Sequence, residues 1–306
     1  MEAAEVKRQI ESSSVPAALT IIGDRWTLSI VRMIWQGTTR FDDLLTGLSI
    51  PRSTLSARFK HLIDAGCLQK KAYSTQPPRF DYLLTKKGEA LYQTLVLAEV
   101  WNQQWCATNV QTKPVQFIHT VCGKKITPSF ACRACLAPIA AAELVLQTIP
   151  SPTEAPEGVA RPRRSRGESD LNAGRLLAED ILGDRWSSFI IACFFYGVKR
   201  YADIVQLIGI APNILSSRLN LLLENQLIEK RLYQTKPERY AYRLTEKGKA
   251  LFPLIVSMSQ WGDHWLRAHY QPSAVWTHVP CQQLLQPVLL CPHCKQVIHA
   301  TQLKLS

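Results

Sequence analysis

No run of roughly eighteen consecutive apolar residues occurs anywhere in the chain, so no membrane span is expected. The opening stretch MEAAEVKRQI lacks the basic, apolar, then small-residue order of a secretory leader, and export is not expected. The nine cysteines are therefore read in a reducing compartment, as thiols or metal ligands before disulfides. A Gly-rich phosphate loop, a His-Glu-x2-His run and a nucleophile elbow are all missing, which removes the usual signatures of NTPases, zinc proteases and α/β-hydrolases. Acidic side chains are in deficit, 24 against 36 Lys and Arg, for a net charge of +12. Residues 1–148 hold 17 basic and 11 acidic side chains, and 170–306 hold 15 and 10. An excess shared between the halves suggests a polyanionic partner such as double-stranded DNA.

What is present is a repeat. GDRW stands at Gly23–Trp26 and again at Gly183–Trp186, and a slide of 160 aligns 29 identities in 85 positions between 21–105 and 181–265. The identities include Leu55, Ser56 and Arg58 with Leu215, Ser216 and Arg218, Arg79 with Arg239, and Trp101 and Trp105 with Trp261 and Trp265. A period this long means two whole domains in tandem rather than a solenoid. Residues 149–169, rich in Pro, Arg, Glu and Ser, read as a linker. Its cluster Arg161, Arg163, Arg164 and Arg166 either touches phosphate or belongs to a solvated tether.

Each copy offers the same series of elements. Residues 25–36 place Trp26, Ile30, Met33 and Ile34 on one helical stripe, and RFDDLLTGL gives a second short helix. IPRSTLSARFKHLIDAG then sets Leu55, Phe59, Leu62 and Ile63 on one face, with small polar and basic residues opposite, and stops at Gly66. Two strand-like runs follow, LQKKAY and RFDYLL, joined by STQPP, and a long helix from Lys86 to about Trp105 closes the unit. The second copy repeats the series, with Pro212 suited to the first turn of its helix. Three helices, a hairpin and a closing helix describe a winged helix-turn-helix, whose second turn helix enters the major groove while the wing reaches the adjacent backbone or minor groove.

GDRWTLSIVRMIWQGTTRF, ILSSRL and PERYAYRLTEKGKAL resemble the HxlR-type branch of the MarR-like winged-helix regulators, over about 17–105 and 176–265. Family members usually act as homodimers of single copies that control transcription. The resemblance implies a sequence-specific DNA-binding transcriptional regulator, expected to be a repressor, with both copies in one polypeptide. Several relatives sense electrophiles through a cysteine ahead of the first helix. That place holds Ser13 here and Ala173 in the second copy, so the thiol switch does not carry over.

Arg52, Ser53, Ser56 and Arg58, with Asn213, Ser216, Ser217 and Arg218, are the expected groove residues, and Arg79 and Arg239 the expected wing contacts. Arg58 and Arg218 sit at the edge of the apolar face and could instead brace the wing.

Each copy ends in a Cys/His tail. His119-x2-Cys122-x9-Cys132-x2-Cys135 and His278-x2-Cys281-x9-Cys291-x2-Cys294 agree residue for residue in spacing. One nitrogen and three sulfurs per tail suit a tetrahedral structural zinc, two ions per chain. A metal-free strand pair and a redox disulfide are the alternatives, and His293 could stand in for His278. Cys67, Cys106 and Cys193 have no counterparts and are assigned to core packing.

The expected architecture is α+β, mainly α. A winged helix-turn-helix (13–110) with a zinc-ribbon-like β tail (111–148) is followed, after the linker, by a second (170–268) with its tail (269–306). The rivals are a non-DNA interaction scaffold and a zinc or thiol enzyme. For the second, the Asp42-Asp43 pair is only half repeated, with Ala202 at the place of Asp42 in copy 2, so a carboxylate dyad is not expected. The two copies are expected to pack as an intramolecular pseudo-dimer in the cytoplasm, on the nucleoid, with a homodimer of chains as the alternative.

Overall fold

The computed structural model describes residues 13–106, 116–147, 177–267 and 274–305. The linker and Ala173 lie outside the described residues. Copy 1 runs α1 (Val15–Ile22), α2 (Arg25–Trp35), α3 (Phe41–Leu48), α4 (Arg52–Asp64), β1 (Leu68–Thr75), β2 (Pro78–Leu84), α5 (Lys86–Glu89) and α6 (Tyr92–Cys106). Its tail carries β3 (Phe117–His119), β4 (Lys124–Ile126), β5 (Ser129–Cys132) and β6 (Leu144–Gln147). Copy 2 repeats this as α7 (Ala178–Gly183), α8 (Arg185–Phe195), α9 (Tyr201–Ile208), α10 (Pro212–Glu224), β7 (Ile228–Thr235), β8 (Glu238–Leu244), α11 (Glu246–Lys249) and α12 (Phe252–Trp265). The second tail has β9 (Val275–His278), β10 (Gln283–Leu284), β11 (Pro287–Leu290) and β12 (Leu303–Leu305).

Local chemistry accounts for the helix ends. Asp24 caps α2, its carboxylate accepting from the backbone N–H of Trp26 and Thr27 at 2.9 and 3.1 Å. Asp184 does the same for α8 through Ser187. Such a cap contributes about 1 kcal/mol. The helix of the turn ends in a left-handed residue, Gly209 at φ 62 in copy 2 and Ser49 at φ 52 in copy 1. Glycine takes that conformation without a Cβ penalty and serine does not, so copy 1 holds the less comfortable version.

The expected closing helix is two helices. Gly88 lies so close to the carbonyl of Cys67 that a Cβ would stand 2.2 Å from its oxygen, and Gly248 meets Leu227 in the same way. This contact pins α5 and α11 to the start of the wing, and two residues separate each from the long helix that follows. In copy 2 the break is reinforced by Pro253, which lacks the N–H to continue a helix and stands in the first turn of α12. Each wing also gains a third partner: Arg40 bridges to Asp81 of β2, and Arg200 to Ala241 of β8. A one-residue bridge has no periodicity to betray it in sequence.

The two copies share one continuous apolar core. The first helix of each leans on the other copy: α1 packs on α12, and α7 on α2 and α6, while α6 and α12 meet directly. The repeated tryptophans make this interface reciprocal. Trp101 donates its indole N–H to the carbonyl of Lys247 at 3.1 Å, and Trp261 donates to that of Lys87 at 2.9 Å. Each lysine ammonium sits over the ring it serves, at 5.4 and 5.6 Å. Ser14 donates to Asp263, and Asn102 bonds both Glu179 and the N–H of Ala178.

The tails do not form two separate ribbons. β12 of tail 2 adds to β3–β4 of tail 1, β6 of tail 1 adds to β9–β10 of tail 2, and β5 pairs with β11 across the molecule. In that last pair Cys132 lies opposite Pro287, and Ser129 opposite Leu290.

Candidate nucleic-acid interface and metal centres

On α4 the apolar residues Leu55, Phe59 and Leu62 are buried, with the Phe59 ring 4.2 Å from Tyr82 and edge-on to Phe41 at 5.5 Å. This seat leaves Arg52, Ser53, Ser56, Ala57 and Lys60 exposed on the opposite face. On α10 the buried row is Leu215, Leu219 and Leu222, and the exposed row is Asn213, Ser216, Ser217 and Asn220. Small side chains over most of each row leave room for a helix to approach base edges. Arg52 is held 3.2 Å from Asp42 and over the Phe41 ring, and Ser216 lies 3.1 Å from the hydroxyl of Tyr201.

Arg218 is not on the exposed row. It is buried, with Nε 2.8 Å from the Asp184 carboxylate. Arg58 makes the matching ion pair to Asp24 at 3.3 Å, with its side chain still 37% exposed. The physical reason is the angle on the helix: both sit beside the apolar seat, where a long cation reaches back to the capping aspartate. So the Asp of each GDRW does two jobs, capping α2 or α8 and anchoring α4 or α10. The expectation that Arg218 reads a groove is corrected, and Arg58 is mainly a brace of the same kind, although neither braces the wing.

Arg79 and Arg239 are exposed at the wing tips, opposite Ser74 and Gln234. Just before them a bulge between Ala72 and Ser74, and its twin between Leu232 and Gln234, turns Tyr73 and Tyr233 outward, 45% and 44% exposed. Arg40 and Arg200 stack over these rings at 5.2 and 4.9 Å. The sequence reading missed this guanidinium-on-tyrosine pair. Its signal was available, because Arg40 and Tyr73 both recur in copy 2. With Lys70, Lys71, Lys230 and Arg231 also exposed, each wing presents a cationic edge.

The eight expected ligands all fall into metal-binding arrangements, but not tail by tail. One cluster is His119, Cys122, Cys291 and Cys294, and the other is Cys132, Cys135, His278 and Cys281. Each takes the His-x2-Cys knuckle of one tail and the Cys-x2-Cys knuckle of the other. The β5–β11 ladder carries the two Cys-x2-Cys knuckles to opposite ends, and the β12–β3 and β6–β9 pairs bring each His-x2-Cys knuckle to the other tail. Four strand residues span on the order of 13 Å, so the two Cys-x2-Cys knuckles lie in different clusters.

Within the clusters His119 Nδ1 is 3.4 Å from the sulfurs of Cys122 and Cys294, and His278 Nδ1 is 3.3 and 3.4 Å from Cys281 and Cys135. The sulfurs of Cys122 and Cys291, and of Cys132 and Cys281, are 3.9 Å apart. A tetrahedral zinc shell places sulfurs about 3.8 Å apart and sulfur about 3.6 Å from nitrogen. The donor sets therefore fit the ion. Both histidines are fully buried, and His278 Nε2 stands 3.9 Å from the Glu143 carboxylate, on the side where a ligating imidazole usually finds a partner. Burial raises the Cys132 thiol, but the backbone N–H groups of Ala134 and Cys135 and the thiols of Cys281 and Cys135 outweigh it and hold it below the ordinary range. His293 is exposed and belongs to neither cluster.

The remaining cysteines behave as packing groups. Burial pushes the Cys67 thiol up to about 11 and that of Cys193 up to about 12, with Lys87 opposing it slightly at Cys67. Among the described residues no helix is long and apolar enough to cross a membrane.

The family model described as HxlR-like helix-turn-helix matches residues 21–110 and 181–270. The HTH-type transcriptional regulator Rv3095 of Mycobacterium tuberculosis is 39% identical over 137 residues, covering 45% of this chain and 84% of the relative. The HTH-type transcriptional regulator YodB of Bacillus subtilis is 36% identical over 87 residues, covering 28% of this chain and 78% of the relative.

Proposed function

This chain belongs to the HxlR-like helix-turn-helix family and is a DNA-binding transcriptional regulator, and we propose that it reads two unequal half-sites from within one polypeptide. The observation that carries the proposal is the reciprocal Trp101–Lys247 and Trp261–Lys87 interface, which ties two exposed reading helices into one body. Operator symmetry mirrors protein symmetry. Here α4 offers Arg52, Ser53 and Ser56 where α10 offers Pro212, Asn213 and Ser216, so the preferred operator is an imperfect palindrome. Arg79 and Arg239, with Arg40 and Arg200 beside them, take phosphates or the minor groove.

The two clusters hold structural zinc, each closed by four protein ligands and each stitching one tail to the other. A zinc fixes the tetrahedral arrangement of these thiolates and imidazoles. With four ligand atoms supplied, the shell leaves no position for a substrate, which argues against a zinc enzyme. The protein works in the cytoplasm on the nucleoid, as a single chain and as a repressor.

Genomic footprinting followed by gel shifts tests this reading. Expected is protection of two half-sites by a particle near 34.5 kDa in light scattering. Exchanging the half-sites for two identical copies of either one should weaken binding. Protection of one half-site, or a stable dimer of chains on DNA, would replace the pseudo-dimer with conventional dimerisation.

A further inference from the structure

In copy 1, Arg32 of α2 reaches Glu99 of α6 at 3.4 Å and Glu179 of α7 at 3.7 Å. The slide of 160 puts Ala192 at the place of Arg32 and Ser259 at the place of Glu99. Both long partners of the pair are truncated together in copy 2. Ala192 and Ser259 both line a cavity of about 130 Å³ between α8, α12 and tail 2.

Its walls are aromatic. Phe252 lies 5.3 Å from Phe195 and edge-on to Trp276 at 6.0 Å, and all three line the cavity. Gln260, at the place of Val100, also lines it, and its side-chain oxygen is buried with no hydrogen-bond partner among the described residues. Tyr196 contributes a neutral hydroxyl, because burial, with Asp263 and Cys193 adding to it, pushes its phenol up to about 12. The cavity is partly open to solvent, and its volume, close to the roughly 150 Å³ of an apolar cavity that accepts benzene, suits one ring. The unused acceptor calls for a single N–H or O–H on that ring.

We propose that this cavity is an effector site for a single-ring aromatic carrying one uncharged hydrogen-bond donor, of the size and chemistry of phenol. The walls connect it to the geometry of the whole chain. Asp263 on the cavity wall accepts from Ser14 of α1, which ties copy 1 to copy 2, while Trp276, Leu285 and Pro287 belong to the stitched tail. Filling the cavity therefore biases the angle between the two reading helices. This regulatory half rests on the function proposed above, and the binding half does not.

Calorimetric titration of the full chain with phenol and with benzene, without DNA, tests the site. Expected is saturable binding at one per chain, with phenol favoured by about two- to tenfold through the Gln260 acceptor. Gln260→Leu should erase that preference while benzene still binds. The double change Ala192→Arg with Ser259→Glu rebuilds the copy 1 pair and should abolish both, and Ser259→Met provides a second filled cavity should the first not fold. No saturable heat, or unchanged binding in a filled variant, overturns the site. In gel shifts on the footprinted operator, phenol should change affinity at least about fivefold. Saturable binding with unchanged operator affinity overturns the regulatory half alone, whereas a protein that binds no DNA even without phenol overturns the earlier reading instead.

Discussion

Changing Cys122 and Cys132 to serine together separates two architectures that share the same ligands. Both residues lie in tail 1, but the fold sends them to different clusters. Each cluster would then keep three ligands: His119, Cys291 and Cys294 in one, and Cys135, His278 and Cys281 in the other. Structural zinc in small domains binds with an apparent 10–16 kcal/mol, so one ligand of four is worth roughly 3–4 kcal/mol, about 10²–10³ in affinity. Dialysis against a chelator buffered near nanomolar free zinc strips the weakened sites and spares intact ones. Elemental analysis should then read about two zinc ions for the unaltered chain and about zero for this pair. The complementary pair, Cys122→Ser with Cys291→Ser, removes two ligands from one cluster and none from the other, so about one ion should remain. Tails that closed on themselves would give the inverse, one ion for the first pair and none for the second. That inversion would refute the cross-stitched arrangement.

Four further outcomes follow from the same geometry. With a protease site placed in 149–169, the cut chain should stay one particle on size exclusion and come apart only after chelation and mild denaturant. Arg218→Ala breaks an ion pair whose side chains are 7% and 11% exposed and should cost about 3 kcal/mol in urea unfolding, because Asp184 is left without its cation. Arg58→Ala, at a 37% exposed side chain, should cost clearly less, and equal losses would undo the distinction between the two pairs. Arg79→Ala should leave sequence preference intact while making the logarithmic salt slope of DNA binding shallower by about one, and an unchanged slope would remove the wing contact. At pH 8 a thiol raised to about 11 is ionised to roughly one part in a thousand, so alkylation should reach Cys106 well before Cys67 or Cys193, and early labelling of Cys193 would mean its helix opens.

Much of this protein was legible one residue at a time. The 160-residue slide exposes the duplication, and the apolar stripe of Leu55, Phe59 and Leu62 gives the seated helix. The His-x2-Cys and Cys-x2-Cys spacings name all eight residues of the two clusters, because a knuckle is a local object. The split between α5 and α6 was not legible, nor was the seating of Gly88 against the carbonyl of Cys67, some twenty positions away. Nor was the inward turn of Arg218, which depends on Asp184 lying beside α10 in space. The exchange of knuckles between tails shows the limit most sharply. Identical spacings in the two tails make closing within a tail and crossing between tails equally permissible on paper. Only tertiary strand pairing decides: the β5–β11 ladder sets the two Cys-x2-Cys knuckles at opposite ends, and the β12–β3 and β6–β9 pairs bring each His-x2-Cys knuckle to the other tail. The paired truncation at Ala192 and Ser259 likewise reads as two unrelated changes along the chain, and becomes one cavity only where α8 and α12 face each other.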